Sequence, residues 1–432
     1  VFKKKAFVLS SALFLGLAGC STAEKEDESS GGSGGGSGDQ VTVDVFQFKV
    51  EFKEQFEELA AQYEEENPDV NINVQTLGGG NDYMSTLKSK FASGEEPDIF
   101  NIYGVVDIEQ YRDRLADLSD TEAAKTALEG TLSGVEEDGQ VLGLPFNQEG
   151  YGIIYNKEIL EKAGVDPASI KSMDDLTKAV ETIDSKKEEL QIDAAFALPA
   201  KEKWVTGNHA SSVFLAPDFN NDVLSAYEAK EVPFSQSEAY KEYLDLQNKY
   251  SVQPVVSLDY SQQVEELFST GRVAMIQQGN WIYPTVEGMD PELAESGIGI
   301  MPIPVGDEMK MPVGVPNYWS VNKKADKEVQ KAAAEFLDWM YTSDEGKEAV
   351  LTQFKFIPAY EGYDTEKIAD PLSKEIYKYA SEGNTTAWVF PSYPIGWGEN
   401  VLGANLQKYL AGQATWEEII KTSQDEWAKS RQ

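Results

Sequence analysis

Apolar residues alternate with polar ones over residues 41–46 and again over 70–74, the spacing of half-buried strands. Between them Phe56, Leu59, Ala60 and Tyr63 recur at helical spacing, which predicts a helix over 53–67 that stops before Pro68. Tyr83, Leu87 and Phe91 predict a second helix over 82–93, and a short strand follows at 97–100. Strand, helix, strand, helix, strand implies a parallel sheet with helices on both faces. Farther on, a strand at 151–155 opens a new unit. Helices at 173–187, 237–250 and 260–270 then alternate with strands at 194–198 and 273–277. A strand at 319–321 precedes a long helix at 327–342, and helices at 371–381, 400–410 and 415–429 complete the chain. The order is α/β throughout, with no internal repeat. Residues 41–432 are too many for one ordinary domain, so two α/β lobes are expected.

The charge balance narrows the function. Asp and Glu number 74 against 37 Lys and Arg, a net charge of −37, which argues against nucleic acid because phosphate binding needs clustered cations. One His and one Cys cannot assemble the usual structural zinc site, and no disulfide can form within the chain. No metal or cofactor is expected. The first residues have another logic: Lys3, Lys4 and Lys5 lead into an apolar run over 6–18 that is too short to span a membrane. The run ends in Leu17-Ala18-Gly19-Cys20, which resembles a bacterial lipobox. Residues 1–19 are therefore expected to be a signal peptide. Cys20 is the expected lipidation site, and 20–40 a flexible Ser/Gly/acidic linker to the outer face of the membrane. The Gly31-Gly-Ser-Gly-Gly35 string matches an esterase pattern but lacks the strand and helix that pattern needs.

Three strings carry a family resemblance. Asp138-Gly-Gln-Val-Leu-Gly-Leu-Pro145 continues through Asn147 and Glu149 to Gly152-Ile-Ile-Tyr-Asn-Lys157. Phe268-Ser-Thr-Gly-Arg-Val-Ala-Met275 continues to Gln278-Gly-Asn-Trp281, and Ala333-Ala-Glu-Phe-Leu-Asp-Trp339 is followed by Thr342-Ser-Asp-Glu-Gly-Lys-Glu-Ala349. In this order they resemble the carbohydrate-binding extracellular subunits of bacterial ABC importers, the group that includes maltose-binding protein. The resemblance implies a two-lobe periplasmic-binding-protein-like fold of type II, with the ligand cleft between lobes. It implies one lobe of about 41–149 plus 305–357 and another of about 150–304 plus 358–432. Hinges would lie at 147–151 and near Pro304 and Pro358. It also implies an oligosaccharide ligand, leaning to raffinose-type α-linked sugars, and a separate ABC permease, with the receptor acting as a monomer.

Ligands of open α/β sheets sit beyond the carboxyl ends of the strands. A sugar offers hydroxyls to short polar side chains and an apolar face to a ring. Trp281 and Trp319 are expected to stack on sugar rings, and Asp82, Asn147 and Glu149 to hydrogen-bond hydroxyls. Lys49, Asn101, His209, Asn317, Trp204 and Trp397 are further candidates, with Asn280 and Tyr318 beside the stacking tryptophans. Core packing is the alternative for each aromatic. Two rival readings stay open: a surface-anchored glycan hydrolase or lyase, and a receptor of the same architecture for a polyamine or iron. With 74 acidic residues a carboxylate pair has no diagnostic value. His209 lacks a nucleophile elbow, and Gly78-Gly-Gly-Asn-Asp82 lacks the Lys of a P-loop.

Overall fold

The strand Val41–Gln47 runs parallel to Val70–Thr76 on one side and to Ile99–Ile102 on the other, with Val45 opposite Ile99. The computed structural model describes residues 40–77, 83–306 and 308–432; the expected leader, Cys20, the linker and Asp82 lie outside the described residues. Tyr318–Val321 joins this first sheet antiparallel to Ile99–Ile102, placing Trp319 opposite Asn101, and Leu144–Pro145 closes the edge. The period-2 pattern sorts the side chains. Val43, Val45, Ile99 and Trp319 meet the helices Lys53–Glu66 and Lys327–Thr342 on one face. Phe46, Phe100 and Ile102 meet the helix Tyr83–Ser93 on the other.

The second sheet is built around Glu149–Asn156, which pairs antiparallel with Val273–Gly279, Ile298–Met301 and Met311–Gly314. Ala194–Ala197 and Thr385–Ala387 extend it, each parallel to its neighbour. Two α/β lobes follow, as expected from the element order. One crossing lies elsewhere than the resemblance implies. Met311–Gly314 pairs with Glu149 and Gly150 in the second sheet, so the chain re-enters the first sheet at Tyr318 rather than near residue 305. Beside this crossing, Gln148 bridges Ile357, which sets two passing segments side by side.

The lobes also touch away from the crossings. Tyr227 on the helix Val223–Glu228 donates its hydroxyl to Glu109 on Val105–Tyr111, at 2.8 Å. Lys355 of the first lobe pairs with Glu287 of the second at 2.5 Å.

Candidate functional site

A cavity of about 560 Å³ opens between the lobes. Phe48 and Lys49 enter it from the end of Val41–Gln47, and Tyr103 from the end of Ile99–Ile102. Tyr103 is held by its backbone N–H, which donates to the buried Asp107 carboxylate at 2.7 Å. The opposite wall comes from the second lobe. Its segment Val205–Ala210 forms a wide π-helical turn, in which residues five apart stand alongside one another. Trp204 and His209 have that separation, and their ring centroids lie 5.0 Å apart.

His209 sits at the centre of an aromatic cage. It stacks on Tyr151 at 4.6 Å with an 11° tilt, and Phe390 and Trp281 lie 5.0 and 5.1 Å away. Trp281 is positioned by its own strand. A Cβ on Gly279 would collide with the Trp281 indole, so glycine there lets the ring fold back over the backbone. Buried amides then fix its direction: Trp281 Nε1 donates to Gln278 at 2.9 Å, Gln278 to Gln263 at 2.7 Å, and Gln263 to the Ala197 carbonyl at 2.7 Å.

Burial among these rings, with the Lys49 charge adding to it, pushes the His209 pKa down to about 3. The imidazole is neutral at pH 7, and its nitrogens have no hydrogen-bond partner among the described residues. It therefore presents one donor and one acceptor. Because the unfolded-state value is near 6.5, the unfolded chain takes up this proton first on acidification. The contribution of His209 to stability is thus complete above pH 6.5 and is lost progressively toward pH 3. Wild-type melting temperature is expected to fall relative to that of His209→Phe across this window, with no such divergence between pH 7 and 8. Parallel melting curves from pH 7 to 4 would contradict the assignment.

Polar chemistry is concentrated at the crossing between lobes. Lys49 Nζ and Glu149 Oε1 form a buried ion pair at 2.7 Å, and Asn147 Nδ2 reaches the same oxygen at 3.5 Å. Gln47 accepts from the Lys49 backbone N–H at 2.5 Å and donates to Thr76 at 2.6 Å, which anchors the end of the strand.

The structure thus brings Lys49, Glu149, Trp204, His209 and Trp281 to one cavity, with Asn147 behind Glu149. Other expected site residues lie elsewhere. Trp319 is 1 % exposed, packs edge-on to Phe56 and donates to the Tyr341 hydroxyl at 2.9 Å, so it is core. Trp397 is core too, stacked edge-to-face with Trp427 at 4.8 Å and donating to the Ser423 carbonyl. Asn280 is structural: it accepts from Gly150 N–H at 3.1 Å and donates to Ser373 at 3.0 Å. Asn101 and Asn317 are fully buried in the first lobe and do not line the cavity, while Tyr318 lines a neighbouring one. Tyr260, Trp388 and Phe390 line the aromatic cavity without having been expected there. Trp388 is one of several aromatics near Tyr393 in the sequence, a clustering that distinguishes none of them. Tyr260 and Phe390 carried no signal.

The comparisons with known proteins agree with this architecture. The family described as bacterial extracellular solute-binding protein matches residues 49–347. The melibiose/raffinose/stachyose-binding protein MelE of Bacillus subtilis (strain 168) is 26% identical over 310 residues, covering 70% of this chain and 68% of that protein. Three other curated relatives are matched over 50% to 60% of their length. Among solved structures, a chitin oligosaccharide binding protein superposes with a TM-score of 0.76 at 23% identity, covering 91% of this chain and 100% of that one. RafE in complex with raffinose superposes with a TM-score of 0.74 at 18% identity and the same coverage. At these identities the superpositions establish the fold.

Proposed function

Because the chain belongs to the bacterial extracellular solute-binding protein family, we propose that it captures an oligosaccharide between its lobes and delivers it to the transmembrane subunits of an ABC importer. The observation that carries this reading is the aromatic cavity itself. Ring faces from both lobes flank it, a neutral imidazole stands among them, and the adjoining charges are paired with each other. Such a wall suits an uncharged ligand with apolar C–H faces and hydroxyls. It suits a polyamine or ferric ion poorly, because Glu149 is already neutralised by Lys49. The Bacillus subtilis relative, named for melibiose, raffinose and stachyose, favours α-galactosyl oligosaccharides. We further propose anchoring through a lipid on Cys20 at the extracellular membrane face. The lobes of this reading are 41–147 with 318–356, and 149–314 with 358–432.

The test is a titration panel of oligosaccharides, spermidine and ferric ion, read by tryptophan fluorescence. The expected result is a saturable change with an oligosaccharide alone and no turnover of it. Small-angle scattering on the same samples should show contraction at saturation. Hydrolysed product, or a response to spermidine alone, would replace this reading with one of its rivals.

A further inference from the structure

A second cavity, of about 460 Å³, adjoins the aromatic one, and Tyr103 and Trp388 line both. We propose that it is an extension subsite for the distal unit of a longer saccharide, with Trp388 as the partition between the two sites. The inference rests on the oligosaccharide reading above and adds a length requirement to it.

The two cavities differ in chemistry. The first is walled mainly by rings; the second mixes valines and glycines with short polar side chains from both lobes and the carboxylates of Glu129 and Asp222. Thr131 and Ser133 of the first lobe spend their hydroxyl protons on the Leu128 and Gly130 carbonyls, at 2.7 and 2.5 Å. Thr386 of the second lobe donates to Asn221 at 2.7 Å. Hydroxyls committed in this way present their remaining lone pairs as acceptors. Donors complete the set. Trp388 is 4 % exposed and its indole N–H has no partner among the described residues. Its ring is fixed against Gly314, where a Cβ would collide with the indole. Tyr318 is 6 % exposed and its hydroxyl makes no hydrogen bond among the described residues. A buried donor without a partner costs free energy that a ligand hydroxyl would recover. Val105 and Val223, at the starts of the two helices that the Tyr227–Glu109 hydrogen bond joins across the lobes, also line the second cavity. Closure that seals the aromatic cavity would seal this one as well.

The test is calorimetric titration of melibiose, raffinose and stachyose, a di-, tri- and tetrasaccharide ladder, into the wild type, Tyr318→Phe and Ser133→Trp. Wild type is expected to gain about tenfold or more in affinity along the ladder. Ser133→Trp, which fills the second cavity, should abolish that gain while leaving melibiose affinity within about twofold. Tyr318→Phe, which removes one hydroxyl, should lower the affinity of the longest ligand by roughly 3- to 10-fold and spare melibiose. A length gain that survives in both variants, or losses equal for all three sugars, would overturn the subsite. Should Ser133→Trp fail to fold, Tyr318→Phe decides by the same criterion. A folded wild type that bound no member of the ladder would overturn the oligosaccharide reading itself, a distinct outcome.

Discussion

Trp281→Ala is expected to weaken oligosaccharide binding by roughly 30- to 1,000-fold, the usual range for truncating an aromatic anchor in a desolvated site. The indole is half-buried, faces the aromatic cavity, and is oriented by the Gln278–Gln263 amide chain. Removing it deletes a stacking surface at the margin of the core and leaves the buried Gln278 oxygen without its indole donor. Its melting temperature should therefore fall, but by less than the loss of a fully buried ring would cause. Trp319→Ala is the informative contrast. That ring fills the core between Phe56 and Phe146, and its loss should cost about 3–5 kcal/mol of stability, as large-to-small core substitutions do. Calorimetry and thermal melts on both variants separate the two roles. Unchanged affinity in Trp281→Ala would mean that the ligand lies elsewhere.

That contrast shows where the chain could be read directly and where it could not. Alternation at 41–46 and helical spacing at 327–342 each report a local property, and both elements occur where the spacing puts them. A tryptophan beside an asparagine reports nothing local. Trp281 and Trp319 look alike in sequence, and each follows an Asn within two residues. They part because Trp319 lies on the sheet face that Lys327–Thr342 covers, whereas Trp281 leaves its strand over Gly279. Trp397 stands after a left-handed Gly396 and so resembles a loop residue. It opens a wide helical turn that packs on Trp416–Ser430. The strand Met311–Gly314 was invisible for a related reason: it is short, begins with Met-Pro, and owes its place to Glu149–Asn156. Lys49 lies just past the carboxyl end of Val41–Gln47, where ligands of open α/β sheets gather, and Glu149 opens its strand at the crossing between lobes; both line the aromatic cavity.

Breaking the Lys49–Glu149 pair is the second substitution expected to have a large effect. The two residues are 100 positions apart and tie the end of the first strand to the crossing segment at 2.7 Å, both nearly out of solvent. Glu149→Ala strips the buried ammonium of its carboxylate, a change that costs about 3–5 kcal/mol where such pairs are buried. Its melting temperature should fall sharply. Replacing both residues with apolar ones of similar volume, Lys49→Met with Glu149→Leu, removes the charges together and should restore most of the lost stability. Affinity for the oligosaccharide is expected to behave differently. If the pair also reads hydroxyls at the mouth of the aromatic cavity, the double variant regains its fold but not its ligand. Recovery of both in the double variant would make the pair purely structural and leave recognition to the rings and His209.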